Sequence, residues 1–165
     1  LSLEDAATVT KDFLDCLTRP VLARFGTLDK YTGDGLVAFW GAPLDCPAQA
    51  DEAVAAAREV LQEVEALNRR RAEAGFAPVR VRIGIESGRA LVGDLGTPFR
   101  STYTAVGDCI NFASRLEEAA RELPSRVIIG PVANARLTRH ETVSLGEYTL
   151  RGTQTAIEVF APKVA

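Results

Sequence analysis

The chain predicts an α+β sandwich, a mostly antiparallel sheet with helices packed on it. Three observations point there. Two stretches carry apolar residues at helical spacing, Val9 to Phe25 and Ala53 to Leu67. One stretch alternates with period two, Val79, Val81, Ile83 and Ile85 against Arg80, Arg82 and Glu86. Extended-type residues flank a Gly33-Asp34-Gly35 turn. Helices and hairpins mixed around one sheet give this class.

In chain order, Leu3 to Phe25 reads as an amphipathic helix, with Val9, Phe13, Leu17, Val21 and Phe25 at a spacing of four. Pro20 is expected to kink it or mark its boundary. Leu28 to Trp40 reads as a β-hairpin closed at Gly33-Asp34-Gly35. Ala48 to Ala74 is the clearest helix, with a stripe of Ala53, Ala57, Val60, Leu61, Val64 and Leu67. Asp51 and Glu52 near its start and Arg69, Arg70 and Arg71 near its end complement the helix dipole, and Gly75 stops it. Val79 to Ser87 is a strand with one buried face, and Arg89 to Val92 a short one. After a loop containing glycine and proline, Thr102 to Val106 is extended. Asp108 reads as the N-cap of a helix to about Glu122. A strand at Arg126 to Ile129, a short helix at Val132 to Leu137 and strands at Val143 to Leu150 and Ala156 to Phe160 complete the order.

The length of 165 residues fits one domain, 1–165. A composition of 47% hydrophobic and 25% charged residues is that of an ordinary globular protein. The net charge of -3 argues against a nucleic-acid or anionic-membrane binder, which needs a clustered cationic face. A phosphorylated small molecule needs only a few well-placed cations and stays open. Three scattered cysteines, without a CxxC pair, and one histidine argue against zinc and for a reducing compartment. No apolar run approaches the roughly 20 residues of a membrane helix, and no signal peptide opens the chain.

Two segments carry candidate chemistry. In Lys30-Tyr31-Thr32-Gly33-Asp34-Gly35 the glycines allow a sharp turn, and Asp34 at its tip offers oxygens that suit magnesium. A plain hairpin turn explains the same residues, because Asp-Gly is common turn chemistry. In Tyr103 to Arg115, Asn111 and Arg115 lie four apart and share a helix face. An amide beside a guanidinium suits a phosphate oxygen carrying developing charge. A solvated stripe with Arg115 paired to Glu118 is the plainer alternative.

The ordered set DKYTGDGLVAFWGAP, VRVRIGIESGRALVGDLG and YTAVGDCINFASRLE resembles the class III adenylyl and guanylyl cyclase catalytic domain over essentially the whole chain. It resembles the bacterial branch with threonine at the base-reading position. The resemblance implies a ferredoxin-like sandwich and a reaction in which ATP becomes 3′,5′-cyclic AMP and pyrophosphate. It implies two metal ions, magnesium or manganese, that activate the ribose 3′-hydroxyl and clamp the triphosphate. Asp34 matches the second of two metal-binding carboxylates. Lys30 and Thr104 match the pair that reads adenine, while a solvated strand lysine is the plainer account of Lys30. Asn111 matches the residue that orients the ribose, and Arg115 the one that stabilises charge on the α-phosphate. Arg151 stands where the family usually has a lysine for the terminal phosphates, and it keeps the charge. Arg100 lies in a loop where relatives often carry arginine.

The same resemblance implies a head-to-tail homodimer with each site shared between two chains, a cytoplasmic location for the catalytic domain, and regulatory or membrane segments elsewhere in the parent protein. The family's opening strand, Phe-x-Asp-hydrophobic-x-Gly-Phe, supplies the first metal-binding carboxylate. It has no counterpart here, because Asp5 and Asp12 sit in the helical pattern. The expectation is a domain N-terminally truncated, without its first strand and impaired in this form. A non-catalytic cyclase-like module that binds nucleotide or dimerises is the alternative. Diguanylate cyclases share the sheet plan but carry Gly-Gly-Asp/Glu-Glu-Phe at the hairpin, where this chain has Thr32-Gly33-Asp34-Gly35-Leu36.

Overall fold

The first amphipathic pattern folds as α1 (Leu3–Ala23) in a computed structural model that describes residues 2–164. Its start is a capping box. The Ser2 hydroxyl accepts from the Asp5 N–H at 3.0 Å, and the Asp5 carboxylate accepts from the Ser2 N–H. Of the two expectations for Pro20, the boundary does not hold, because α1 runs on to Ala23. Pro20 is buried inside α1, where burial of the ring offsets the one backbone hydrogen bond that proline cannot donate. Phe25 leaves the stripe, exposed and with a φ of 61°.

The second pattern folds as α2 (Gln49–Glu73), and its buried Val60, Val64 and Leu67 pack with Cys16 and Leu17 of α1. Asp51 stands in the first turn of α2, as expected, but is buried. It is 1% exposed and accepts hydrogen bonds from the Thr138 N–H and hydroxyl and from the Arg139 N–H.

The extended segments form three sheets. β1 (Thr27–Thr32) and β2 (Gly35–Phe39) make the expected hairpin. β4 (Leu91–Asp94) and β5 (Tyr103–Val106) make an antiparallel ribbon. β3 (Ile83–Ile85), β6 (Val127–Ile129), β8 (Ala156–Pro162) and β7 (Thr142–Thr149) form a sheet in that spatial order. The β3–β6 pair is parallel and the others antiparallel. The helices α3 (Asp108–Ala119) and α4 (Pro131–Arg136) lie between the strands in sequence. The result is an α+β fold in which helices alternate with mostly antiparallel strands, the class expected from the sequence.

Boundaries shift for local reasons. The strand expected from Val79 to Ser87 keeps its alternating burial, yet only Ile83–Ile85 joins a ladder. The Asn68 side chain of α2 takes both the N–H and the carbonyl of Val79 instead. Gly107 rather than Asp108 is the N-cap of α3, and Asp108 is its first helical residue. The end of α3 tightens, with the Glu122 N–H bonded to the Ala119 carbonyl. α3 lies close on β3 because Gly84 has no side chain. A Cβ there would stand 2.1 Å from the Ala113 carbonyl oxygen.

One feature positions the site. β2 and β3 each keep one edge unpaired among the described residues. The two edges line a cavity of about 750 Å³ together with residues of α1, α2 and α3.

Candidate active site

The β1–β2 turn presents Asp34. Gly33 has a φ of 64° at the first central position, as type II′ hairpin turns favour. Asp34 follows it, exposed at the cavity wall, with no ion pair or side-chain hydrogen bond among the described residues. No group of three or more metal-ligating side chains occurs among them. One carboxylate suits one magnesium ion that takes its other oxygens from phosphates and water. The described residues do not supply a two-ion site by themselves.

Thr104 is joined to β1 at Asp29, the residue before Lys30. β1 carries a bulge between Leu28 and Lys30, so Asp29 is left without a partner on β2. The Thr104 hydroxyl donates to Asp29 Oδ1 at 2.6 Å, which fastens β5 to β1. Phe39 and Tyr103 support the same junction, with ring centroids 6.4 Å apart. Lys30 is exposed and forms no ion pair among the described residues.

Asn111, Arg115 and Arg151 form a second group. Phe112 and Leu116 anchor α3 in the core with Leu150, and this leaves Asn111 on the outer face. Arg115 does not pair with Glu118 and forms no ion pair among the described residues. Its guanidinium lies against the β7–β8 turn, where a Cβ on Gly152 would be 3.7 Å from Nη2. Gly152 has a φ of 81°, a conformation that favours glycine. Arg151 is next to it, exposed. An amide and two guanidiniums without carboxylate partners, on the outer face of α3 and at the β7–β8 turn, can receive a polyanion.

The structure separates these candidates. Asp34 lines the cavity, whereas Lys30, Thr104, Asn111, Arg115 and Arg151 do not. Arg100 joins none of them. It sits exposed in the β4–β5 connection, which Asp94 braces by accepting from the Ser101 hydroxyl and the Thr102 N–H. The Ser101 bond comes first among the causes that hold the Asp94 carboxyl below its usual range.

Sequence reasoning passed over Asp29. Its signal was a carboxylate inside a strand, where aspartate is disfavoured. It also passed over Glu86. Burial pushes this carboxyl above its usual range, partly opposed by N–H donors from Ser87 and Ala133. Glu86 thereby holds the start of α4 to the end of β3.

Comparison with known proteins identifies the family and the fold. The model of the adenylate and guanylate cyclase catalytic domain matches residues 24–161. Adenylate cyclase 1 of Rhizobium meliloti is 31% identical over 160 residues, 96% of this chain and 24% of that protein. The chain thus spans about a quarter of the length of the curated relatives it matches. The crystal structure of the adenylyl cyclase CyaB from P. aeruginosa superposes with a TM-score of 0.82 at 25% identity, covering 100% of this chain and 85% of that one. A guanylyl cyclase crystal structure gives 0.84 at 23% identity, covering 98% and 82%, a likeness of fold alone. No helix among the described residues is long and apolar enough to cross a membrane.

Proposed function

The chain belongs to the family of adenylate and guanylate cyclase catalytic domains, and from that premise we propose that it converts ATP to 3′,5′-cyclic AMP and pyrophosphate. The observation that carries this reading is the unpaired group on the outer face of α3, with Asn111 exposed and Arg115 lying against the Gly152 turn. Cations held in place without carboxylate partners are ready for negative charge that develops on a substrate.

In this reading Asn111 orients the ribose so that its 3′-oxygen lines up with the α-phosphorus. Arg115 stabilises the charge that grows on the α-phosphate oxygens as the new bond forms and pyrophosphate leaves. Arg151 holds the terminal phosphates, with Arg100 as an outer contact. Lys30 donates to N1 of adenine, an acceptor, whereas guanine carries a proton at that position. Thr104 receives the exocyclic amino group. Catalytic domains of this family generally use divalent metal ions, and such an ion at Asp34 would draw charge from the phosphate oxygens.

Family members work as dimers, and we infer the same here. Asp34 faces the cavity while the other candidates do not, as a site divided between two copies requires. The β4–β5 ribbon exposes Leu91, Leu95, Phe99, Tyr103 and Val106, with Phe99 98% exposed, which suits burial against a second copy. A further strand bearing a second metal carboxylate belongs, in this account, between the free edges of β2 and β3. Asp34 standing alone favours a second reading, a non-catalytic module that binds nucleotide or pairs with a competent partner.

The test is cyclic nucleotide formation from ATP and from GTP, with magnesium or manganese, by the chain carrying its native upstream residues. The proposal expects cyclic AMP from ATP in excess of cyclic GMP from GTP. A confirmed dimer that forms neither product favours the non-catalytic module.

A further inference from the structure

We propose that Asp29 sets the base preference of the site by fixing the direction of the Thr104 hydroxyl, an inference that rests on the cyclase reading above. A free threonine hydroxyl both donates and accepts, and its proton rotates to suit the partner. It would therefore meet the amino group of adenine or the carbonyl oxygen of guanine equally well. Here the rotation is stopped. The Thr104 hydroxyl donates to Asp29 Oδ1 at 2.6 Å, and a carboxylate only accepts. Its proton is committed, and the Thr104 oxygen presents lone pairs alone. That surface matches the amino group at C6 of adenine and opposes the carbonyl at C6 of guanine.

The backbone is built for this contact. The β1 bulge leaves Asp29 outside the register with β2 and sets it directly before Lys30. A bulge re-aims side chains, and bulges concentrate beside active sites. One irregular step of β1 thus carries both the proposed donor to the ring nitrogen and the group that orients its companion. The second carboxylate oxygen, Asp29 Oδ2, is buried with no hydrogen-bond partner among the described residues. A contact that served only to staple β5 to β1 would be better made by a neutral residue, since an unpaired buried carboxylate oxygen is costly. Asp29 acts through Thr104 and is a positioning residue.

The experiment compares kcat/KM for ATP and for GTP in the chain with its native upstream residues. The set is the unchanged protein, Asp29→Asn, Asp29→Ser, Thr104→Val, and Asp29→Asn with Thr104→Val. In Asp29→Asn the amide can donate to the Thr104 oxygen and release its proton toward guanine. In Asp29→Ser the shorter side chain frees the hydroxyl. Both are expected to lower the ATP-to-GTP ratio by about tenfold or more, and the double variant to fall no further than Thr104→Val alone. Asp29→Ser keeps the test open if Asp29→Asn does not fold. A structural staple alone would lower turnover of both nucleotides in parallel. Unchanged ratios in both Asp29 variants, beside a changed ratio in Thr104→Val, overturn the proposal and leave the cyclase reading standing. An unchanged protein that turns over neither nucleotide overturns both.

Discussion

Arg115 is half-buried, has no carboxylate partner among the described residues, and rests against a glycine turn that leaves room for its guanidinium. Such a residue contributes little to folding and much to a transition state. Arg115→Ala is expected to lower kcat by about 100- to 1000-fold while the melting temperature stays close to that of the unchanged protein. Steady-state kinetics beside a thermal melt checks this. A large loss of melting temperature would mark Arg115 as structural. Lys30→Glu is expected to weaken ATP use and favour GTP, read as the ratio of the two kcat/KM values. At this scale the sequence was informative where residues stand in ordered motifs. Asn111 and Arg115 share a face of α3, as a spacing of four requires. Asp29 was invisible because its role depends on a bulge. A bulge changes register by one residue, and alternation of side chains does not reveal it.

Among the elements, the buried carboxylate of Asp51 ties α2 to the chain beyond α4, beside the Arg139–Glu52 ion pair. Burial alone would raise the pKa of Asp51, but hydrogen bonds from Arg139 and Thr138 outweigh it and hold the carboxyl below its usual range. A depressed folded-state pKa gives stability that is present above the unfolded value, about 3.9, and lost as pH falls through the folded value. Asp51→Asn is expected to cost about 1–3 kcal/mol at neutral pH and to remove that part of the acid dependence. Urea denaturation at neutral pH and below pH 4 (about the unfolded value) measures both. Gly84→Ala should destabilise by about 1–3 kcal/mol, because its Cβ meets the α3 backbone. A melting temperature equal to that of the unchanged protein would contradict the close approach. Element type was legible throughout, since the helical stripes and the period-two run each follow from burial of one face. Ends were less legible. Pro20 stays helical because its ring is buried, and the strand before Ile83 loses its ladder because Asn68 satisfies Val79. Both depend on tertiary neighbours that no local pattern encodes.

For the whole molecule, Asp34 lines the cavity, while Asn111 and Arg115 on α3, Arg151 at the β7–β8 turn, and Lys30 and Thr104 lie outside it. The sequence predicted these residues through the resemblance. The resemblance places Asn111, Arg115 and Arg151 on one chain of the shared site; what only packing of α3 against Leu150 sets is that the Arg115 guanidinium lies against the Gly152 turn. On the proposed reading, the carboxylate of one copy completes its site with the cations of a second copy. The measurement that tests this most directly mixes two inactive variants, Asp34→Ala and Arg115→Ala, both with native upstream residues. In a two-fold pair each heterodimer holds one site with neither change and one with both. Random exchange of subunits is then expected to restore about a quarter of the sites of the unchanged protein, seen as cyclic AMP formed from ATP. A mixture shown to contain heterodimer that forms no cyclic AMP would contradict a site shared between copies.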